Sequence, residues 1–328
     1  MWQSLQLAAE HYFSKGLAAS STRTYTSGTK RYIQCCSACK VTPLPVTEAK
    51  LSAFVSLLAK DGLAFSTIRC YLAAVRHHQI ACGLGDPGVP TMSRLEYILQ
   101  GVRREKAGQA NKPGTQRQPI TPSILLKVFS VWSRLEASAL PKAKMLWAAA
   151  CLAFFGFLRV GEFTSPTVHT FDSNVHLTRQ DISVDHPQQP SVMYVTLKQS
   201  KTDQLKNGVT LVLGKTNQLL CPVSSMMSYL VVRGSSTGPL FIYLDKSFLT
   251  RDRFVDEVRR ALHTVGVDPT LFNSHSFRIG AATTAAARGL EDSLIKTLGR
   301  WESSAYLRYV KIPRSELANY TKVLADVP

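Results

Sequence analysis

Acidic residues are scarce in this chain. Its 328 residues hold 22 Asp and Glu against 39 Lys and Arg, a formal net charge of +17. The shortage runs through the whole length, with 13 basic against 6 acidic residues up to position 110 and 26 against 16 beyond it. No basic tail accounts for it. A folded chain this basic faces a polyanion, and nucleic acid is the leading partner.

Long apolar runs are also missing. The longest, residues 145–158, has 14 residues, short of the roughly 20 that a membrane-spanning helix needs. It predicts a buried helix and no membrane partner. The first residues, Met1-Trp2-Gln3-Ser4, lack the basic and apolar regions of a secretion signal. With an odd count of seven cysteines, this predicts reduced thiols and excludes a disulfide scaffold. Cys35-Cys36-x-x-Cys39 lies upstream of His77, His78 and Cys82, but no second clean pair completes the four ligands of tetrahedral zinc. No metal site is expected. What is present in quantity is apolar material, 45% of the residues, which supports real cores and excludes a disordered chain.

The length predicts two domains. The first, residues 1–107, reads as all-helical, with segments at 4–16, 21–40, 47–62, 66–83 and 91–107. Ser20 or Ser21, Thr47 and Ser66 are candidate caps, and Gly16, Gly62 and Gly83 candidate stops. In the fourth segment Ile68, Leu72, Val75 and Ile80 approximate an apolar stripe. Arg69 and Arg76 sit on its other faces as candidate DNA contacts. Residues 108–119 hold no apolar side chain larger than Ala or Pro and form the best linker in the chain; Lys112 and Arg117 in it are candidate phosphate contacts.

The second domain, residues 120–328, opens with helices at 122–139 and 142–158. Short β signals follow at 175–177, 191–197 and 209–213, the last two flanking a polar hairpin loop that ends in Asn-Gly. Helices return at 222–233, 250–265, 275–288, 290–298 and 304–311. No internal repeat is present. The order of helices, small sheet and helices predicts a mostly α, α+β chain.

Three local patterns carry chemistry. Leu158-Arg159-Val160-Gly161-Glu162 follows the apolar run directly, and an arginine there pays a desolvation cost unless an anion or carboxylate meets it. Asn273-Ser274-His275-Ser276-Phe277-Arg278 opens an Ala-rich helix, placing His275 and Arg278 on one face of its first turn, where free N–H groups favour an anion. Gly299-Arg300-Trp301 precedes Tyr306 and Tyr309, three apart on a short helix.

Taken in order, Arg159 with Glu162, a hairpin lysine, His275-x-x-Arg278, and Gly299-Arg300 with Tyr309 nine residues on, the chain resembles the tyrosine recombinase (phage integrase) family. The likeness covers most of residues 118–312, and the wording Leu-Gly-Arg-Trp-x-Ser-x-Ala-Tyr-x-x-Tyr looks closest to the Crypton and DIRS-like recombinases of eukaryotic mobile elements. One departure stands out: the family usually carries His or Trp where this chain has Arg300, with Trp301 next.

The resemblance implies a helical core-binding domain upstream of a mixed α/β catalytic domain with a small sheet. It implies site-specific cutting and rejoining of double-stranded DNA through a 3′-phosphotyrosine link, as in integration or transposition, without metal, cofactor or ATP. Arg159 and Arg278 would clamp the non-bridging phosphate oxygens with a bidentate fork that lysine lacks. His275 would move the proton of the phenol, whose reference pKa is about 10. Lys201 would protonate the leaving 5′-oxygen, with Lys198 as its competitor, and Tyr309 would be the nucleophile, with Tyr306 as its competitor. Arg300 can still donate to a phosphate oxygen, Trp301 supplies packing, and Glu162 orients its neighbours. A tail from about residue 312 would dock on a neighbouring protomer, giving a homotetramer on two DNA sites from a free monomer or dimer. The family likeness places the protein in the nucleus, or in the cytoplasm and nucleoid if it is bacterial. A type IB topoisomerase and a DNA-binding protein that no longer cuts are the alternatives.

Overall fold

The computed structural model describes residues 1–109, 117–199 and 208–311. Backbone contacts divide the chain into two units, Met1–Pro113 and Gly114–Pro328.

The first unit is helical: α1 Trp2–Lys15, α2 Ala19–Ala38, α3 Glu48–Lys60, α4 Phe65–Ala81 and α5 Ser93–Gln109. Helix α2 packs on α4 and α3 on α5, around a core that includes Tyr32, Leu51, Phe54, Leu58, Ile68, Leu72, Val75 and Leu95. The Thr47 side chain caps α3 by accepting from the Lys50 N–H. Helices α2 and α4 begin after Ala18 and Ala64 with no side-chain cap, so the expected serine caps are absent there. The stripe on α4 also differs from expectation. Its fourth member is Gln79, 4% exposed, while Ile80 is only partly buried. Residues 68, 72, 75 and 79 keep the 3–4 spacing of one helix face. The buried amide of Gln79 is satisfied by accepting from the Val46 N–H and donating to the Gly85 carbonyl.

In the second unit α6 (Pro122–Trp132) precedes α7 (Leu140–Phe155). Helix α7 carries the apolar run and is buried almost all round, from Met145 to Phe154, as expected of a helix with no polar face. It packs against α6, α8 (Pro222–Arg233) and α10 (Ser276–Ala287). Strands β1 Ile182–Val184, β2 Val192–Leu197 and β3 Val209–Gly214 form an antiparallel meander. The register pairs Ile182 with Val195, Val195 with Leu211 and Met193 with Leu213. That row faces the core while Thr196, Thr210 and Val212 face out, the alternation of a sheet covered on one side. Helices α9 (Arg251–Thr264) and α11 (Asp292–Gly299) complete the unit.

Three expectations are corrected. Residues 175–177 form no strand: the Asp181 carboxylate accepts from the Thr178 N–H and hydroxyl, closing a 3-10 turn, and the first strand starts only at Ile182. The helix expected over 122–139 stops at Trp132, with a separate 3-10 turn at Ala137–Ala139. The helix expected over 304–311 is a 3-10 turn, Ser304–Arg308, begun by the Ser303 hydroxyl. All seven cysteines are free thiols, and no cluster of three potential metal ligands occurs among the described residues. No described helix is long and apolar enough to cross a membrane.

Candidate active site

The site grows from the way α7 ends. Gly156 closes the helix, and Phe157 follows with a left-handed φ of 50°, a conformation that costs a residue with a side chain about 1 kcal/mol or more. The Leu158 N–H then returns to the Ala153 carbonyl at 2.9 Å, so the chain leaves the buried helix sharply and points the Phe157 carbonyl outward from its end. Arg159 and Glu162 lie on the turn so formed. The Glu162 carboxylate, 6% exposed, accepts from the Arg159 N–H at 2.8 Å and from Arg159 Nη1 at 2.9 Å.

Helix α10 brings the second arginine. His275 lies at its N-terminal boundary without a side-chain cap, its own N–H donating to Asn273 Oδ1 at 2.8 Å, and Arg278 stands one turn on. Arg278 is fully buried. Its Nη1 donates to the Phe157 carbonyl at 2.7 Å and its Nη2 to the Gly299 carbonyl, while Nε has no hydrogen-bond partner. Its guanidinium carbon lies 4.2 Å from the centre of the Trp301 ring and 5.7 Å from that of Tyr309, cation–π contacts worth about 0.5–2 kcal/mol each. Burial, then the charges of Arg159 and Arg300, push the Arg278 guanidinium below its ordinary pKa.

The end of α11 supplies the third. Arg300 adopts a left-handed backbone, φ 56°. Its side chain turns inward, Nη1 donating to the Gly156 carbonyl at 2.9 Å and Nη2 to Glu162 Oε2 at 3.0 Å. Gly299 before it must lack a side chain: a Cβ there would lie 1.6 Å from a carbon of the Trp301 indole. Trp301 packs on that bare backbone, with its ring 5.2 Å from Tyr309 and 6.2 Å from Phe157.

The two candidate tyrosines differ sharply. Tyr306 is 2% exposed, and the neighbouring Asp292 carboxylate raises its pKa. Tyr309 is only partly buried and lies beside Arg278 and Trp301. The Thr283 hydroxyl fixes its backbone, donating to the Tyr309 carbonyl at 3.2 Å and accepting from the Lys311 N–H at 3.0 Å.

Two further arginines act on His275 through their charge. Arg117 sits where the incoming chain is pinned by Gln118 N–H to Leu271 O and Ile120 N–H to Ser276 O. Arg251, which the sequence reading missed, opens α9, whose start is tied to Ser165 by a bridge at Thr250 and a Ser165 N–H to Leu249 O bond. Burial lowers the His275 pKa from 6.5, and Arg117, Arg251, Arg159 and Arg278 lower it further. Four guanidiniums thus bear on one imidazole through their charge, and Arg159 and Arg300 share one paired carboxylate, Glu162. Arg117 and Arg251 are exposed, but Arg159, Arg278 and Arg300 are buried or half-buried, and positive charge so placed is costly unless an anion meets it. The arrangement is built to hold one, beside a phenol and a neutral imidazole.

Lys201 and Lys112 lie outside the described residues, as does the tail from 312. Lys198 is engaged elsewhere, on Asp181 at 2.7 Å and on the Ser173 carbonyl at 2.7 Å. In the first unit Arg69 is exposed on α4, and Arg76 forms a two-toothed contact with Asp86.

No family profile matches the chain. An integrase/recombinase XerD homologue from Selenomonas ruminantium is 23% identical over 317 residues, covering 94% of this chain and 86% of the relative. Among solved structures, a lambda integrase dimer bound to a core site aligns with a TM-score of 0.59 at 18% identity, over 95% of each chain. The Tn1549 transposon integrase in complex with transposon right-end DNA aligns with a TM-score of 0.59 at 12% identity, over 98% of this chain and 99% of that one. The XerH site-specific recombinase bound to a palindromic substrate gives 0.59 at 15%, over 86% and 71%. The fold is that of these recombinases.

Proposed function

From this likeness in sequence and fold to the tyrosine recombinases, we propose that the chain is a site-specific DNA recombinase that cuts and rejoins double-stranded DNA through a covalent tyrosyl link. The observation that supports this best is the excess of guanidinium around residues 156–162, with the Tyr309 ring 5.7 Å from Arg278.

In this reading Arg159 and Arg278 stabilise the charge that builds on the non-bridging oxygens of the scissile phosphate, the role a divalent cation fills in other nucleases. Tyr309 Oη attacks phosphorus, the bond to the 5′-oxygen breaks, and a 3′-phosphotyrosine forms. The phenolic proton passes to His275, which burial and then the nearby arginines keep neutral and able to accept it. The departing 5′-oxygen takes a proton from Lys201; Lys198, held on Asp181, is less free to move. Attack by a 5′-hydroxyl on the phosphotyrosine reverses the sequence and restores the phenol, so bond energy is conserved and no nucleotide is consumed. Because Arg278 is fully buried beneath Trp301, entry of the phosphate requires the turn at residues 301–309 to shift.

Residues 1–107 are assigned as the core-binding domain, 108–119 as the linker and 120–328 as the catalytic domain. Arg69, Arg76, Lys112 and Arg117 are assigned to the DNA backbone, with Arg76 leaving Asp86 to do so. A homotetramer on two sites is the working assembly. Its place is with DNA; a relative from Selenomonas ruminantium favours the cytoplasm and nucleoid over the nucleus.

Covalent trapping tests the reading. The purified chain is mixed with nicked duplexes of randomised centre, denatured, and any adduct mapped. Wild-type protein is expected to give a DNA-linked peptide at Tyr309, and Tyr309→Phe to give none while binding DNA within about twofold of wild type. An adduct at Tyr306 would move the nucleophile. Binding without any adduct would make the chain a DNA-binding protein lacking cleavage.

A further inference from the structure

The family position after the glycine, occupied here by Arg300, is expected from the sequence to meet the phosphate. The geometry points elsewhere. Both terminal nitrogens of Arg300 face protein: Nη1 the Gly156 carbonyl, Nη2 the Phe157 carbonyl at 3.4 Å and Glu162 at 3.0 Å. The side chain is 12% exposed, and Nε is buried without a partner. Its left-handed backbone sends the side chain back under the end of α7. Glu162 meanwhile divides its oxygens, Oε1 to Arg159 Nη1 and Oε2 to Arg300 Nη2 and the Arg159 N–H. Arg300 and Arg159 are therefore joined through one carboxylate, and Arg300 shares the Phe157 carbonyl with Arg278.

We infer that Arg300 is a positioning residue: acting through Glu162 and the Phe157 carbonyl, it fixes the Arg159 and Arg278 guanidiniums, and it is not itself a ligand of the scissile phosphate. The inference rests on the recombinase reading and deepens it. The chemistry agrees. A carboxylate facing one arginine has spare acceptor capacity and leaves Arg159 free to swing; a second arginine on the other oxygen locks both. Neither His nor Trp has the length and fork to reach two carbonyls and a carboxylate together.

The test compares full-length wild type, Arg300→Gln, Arg300→Lys, Glu162→Gln and the double variant Arg300→Gln/Glu162→Gln on a nicked duplex, each first shown to fold by its melting transition. Single-turnover cleavage by Arg300→Gln is expected to fall about 100-fold, the loss that a misplaced catalytic group brings. In the Glu162→Gln background the same change should cost less than about threefold, and Arg300→Lys should recover part of the loss. DNA affinity and its salt dependence should not change, because a guanidinium already paired with Glu162 releases no phosphate counterion. Equal losses in both backgrounds, or a drop of about one unit in the salt slope, would overturn the inference. If wild type neither binds nor cuts, the recombinase reading fails, and a separate readout decides the inference. The Arg159 side-chain Nε–H resonance should shift or broaden in Arg300→Gln; an unchanged resonance would refute it.

Discussion

A histidine surrounded by arginines is set to stay neutral. Burial and four nearby guanidiniums hold His275 below 6.5, so at neutral pH it accepts a proton rather than donates one. With DNA below saturation, the acid side of the cleavage rate should therefore lie below pH 6.5. In the saturated complex it should move upward, since the bound phosphate offsets the arginine charges. A pH–rate profile on trapped substrate checks both, and an acid limb above 6.5 in the unsaturated regime would remove His275 from the role. The pairing of His275 with Arg278 was legible in the sequence because both lie on one helical turn. Arg251 was not: it is 24 positions upstream, in a helix whose several arginines resemble a solvated face. The inward turn of Arg300 was equally hidden, because it depends on a left-handed backbone and on a carboxylate 138 positions earlier.

At the scale of elements, the apolar run forecast α7 and its burial, since a helix without a polar face has nowhere else to go. What it could not forecast was how closely its neighbours approach. On α10, a Cβ at Gly280 would lie 1.9 Å from the Ile120 carbonyl oxygen, whose own residue is bonded to Ser276. Gly280→Ala must push that strand of chain off the helix that carries His275 and Arg278. The expected cost is roughly 1–3 kcal/mol, read as a fall of about 2–4 °C per kcal/mol in the melting temperature of a unit this size. A melting curve matching wild type would show that the contact relaxes without strain. The missed strand at Ile182–Val184 has a similar origin: three residues are too few to show alternation, and their pairing is fixed by β2 rather than by their own pattern.

For the whole molecule, charge is the property that the sequence announced most directly. Both units carry an excess of Lys and Arg. Binding of the full chain to a duplex should weaken by about a thousandfold or more between 50 and 200 mM salt, as for a protein neutralising roughly six or more phosphates. A titration by fluorescence anisotropy at several salt concentrations measures this, and a flat response would remove the DNA backbone as the partner. In the sequence, the boundary between a helical part and a mixed part is expected at residues 108–119, because these lack apolar side chains while both flanks have them.

The Phe157 carbonyl, shared by Arg278 and Arg300, carries a lesson for anyone wishing to transplant this centre into another scaffold. Copying the arginines, the histidine and the tyrosine would not be enough. Arg278 and Arg300 are oriented mainly by main-chain oxygens, at Gly156, Phe157 and Gly299, so the blueprint to be grafted is the path of two backbone turns. A recipient that reproduces those turns could accept different side chains at position 157. One that keeps every side chain proposed as catalytic but lays the chain differently would present the same chemical groups aimed nowhere in common.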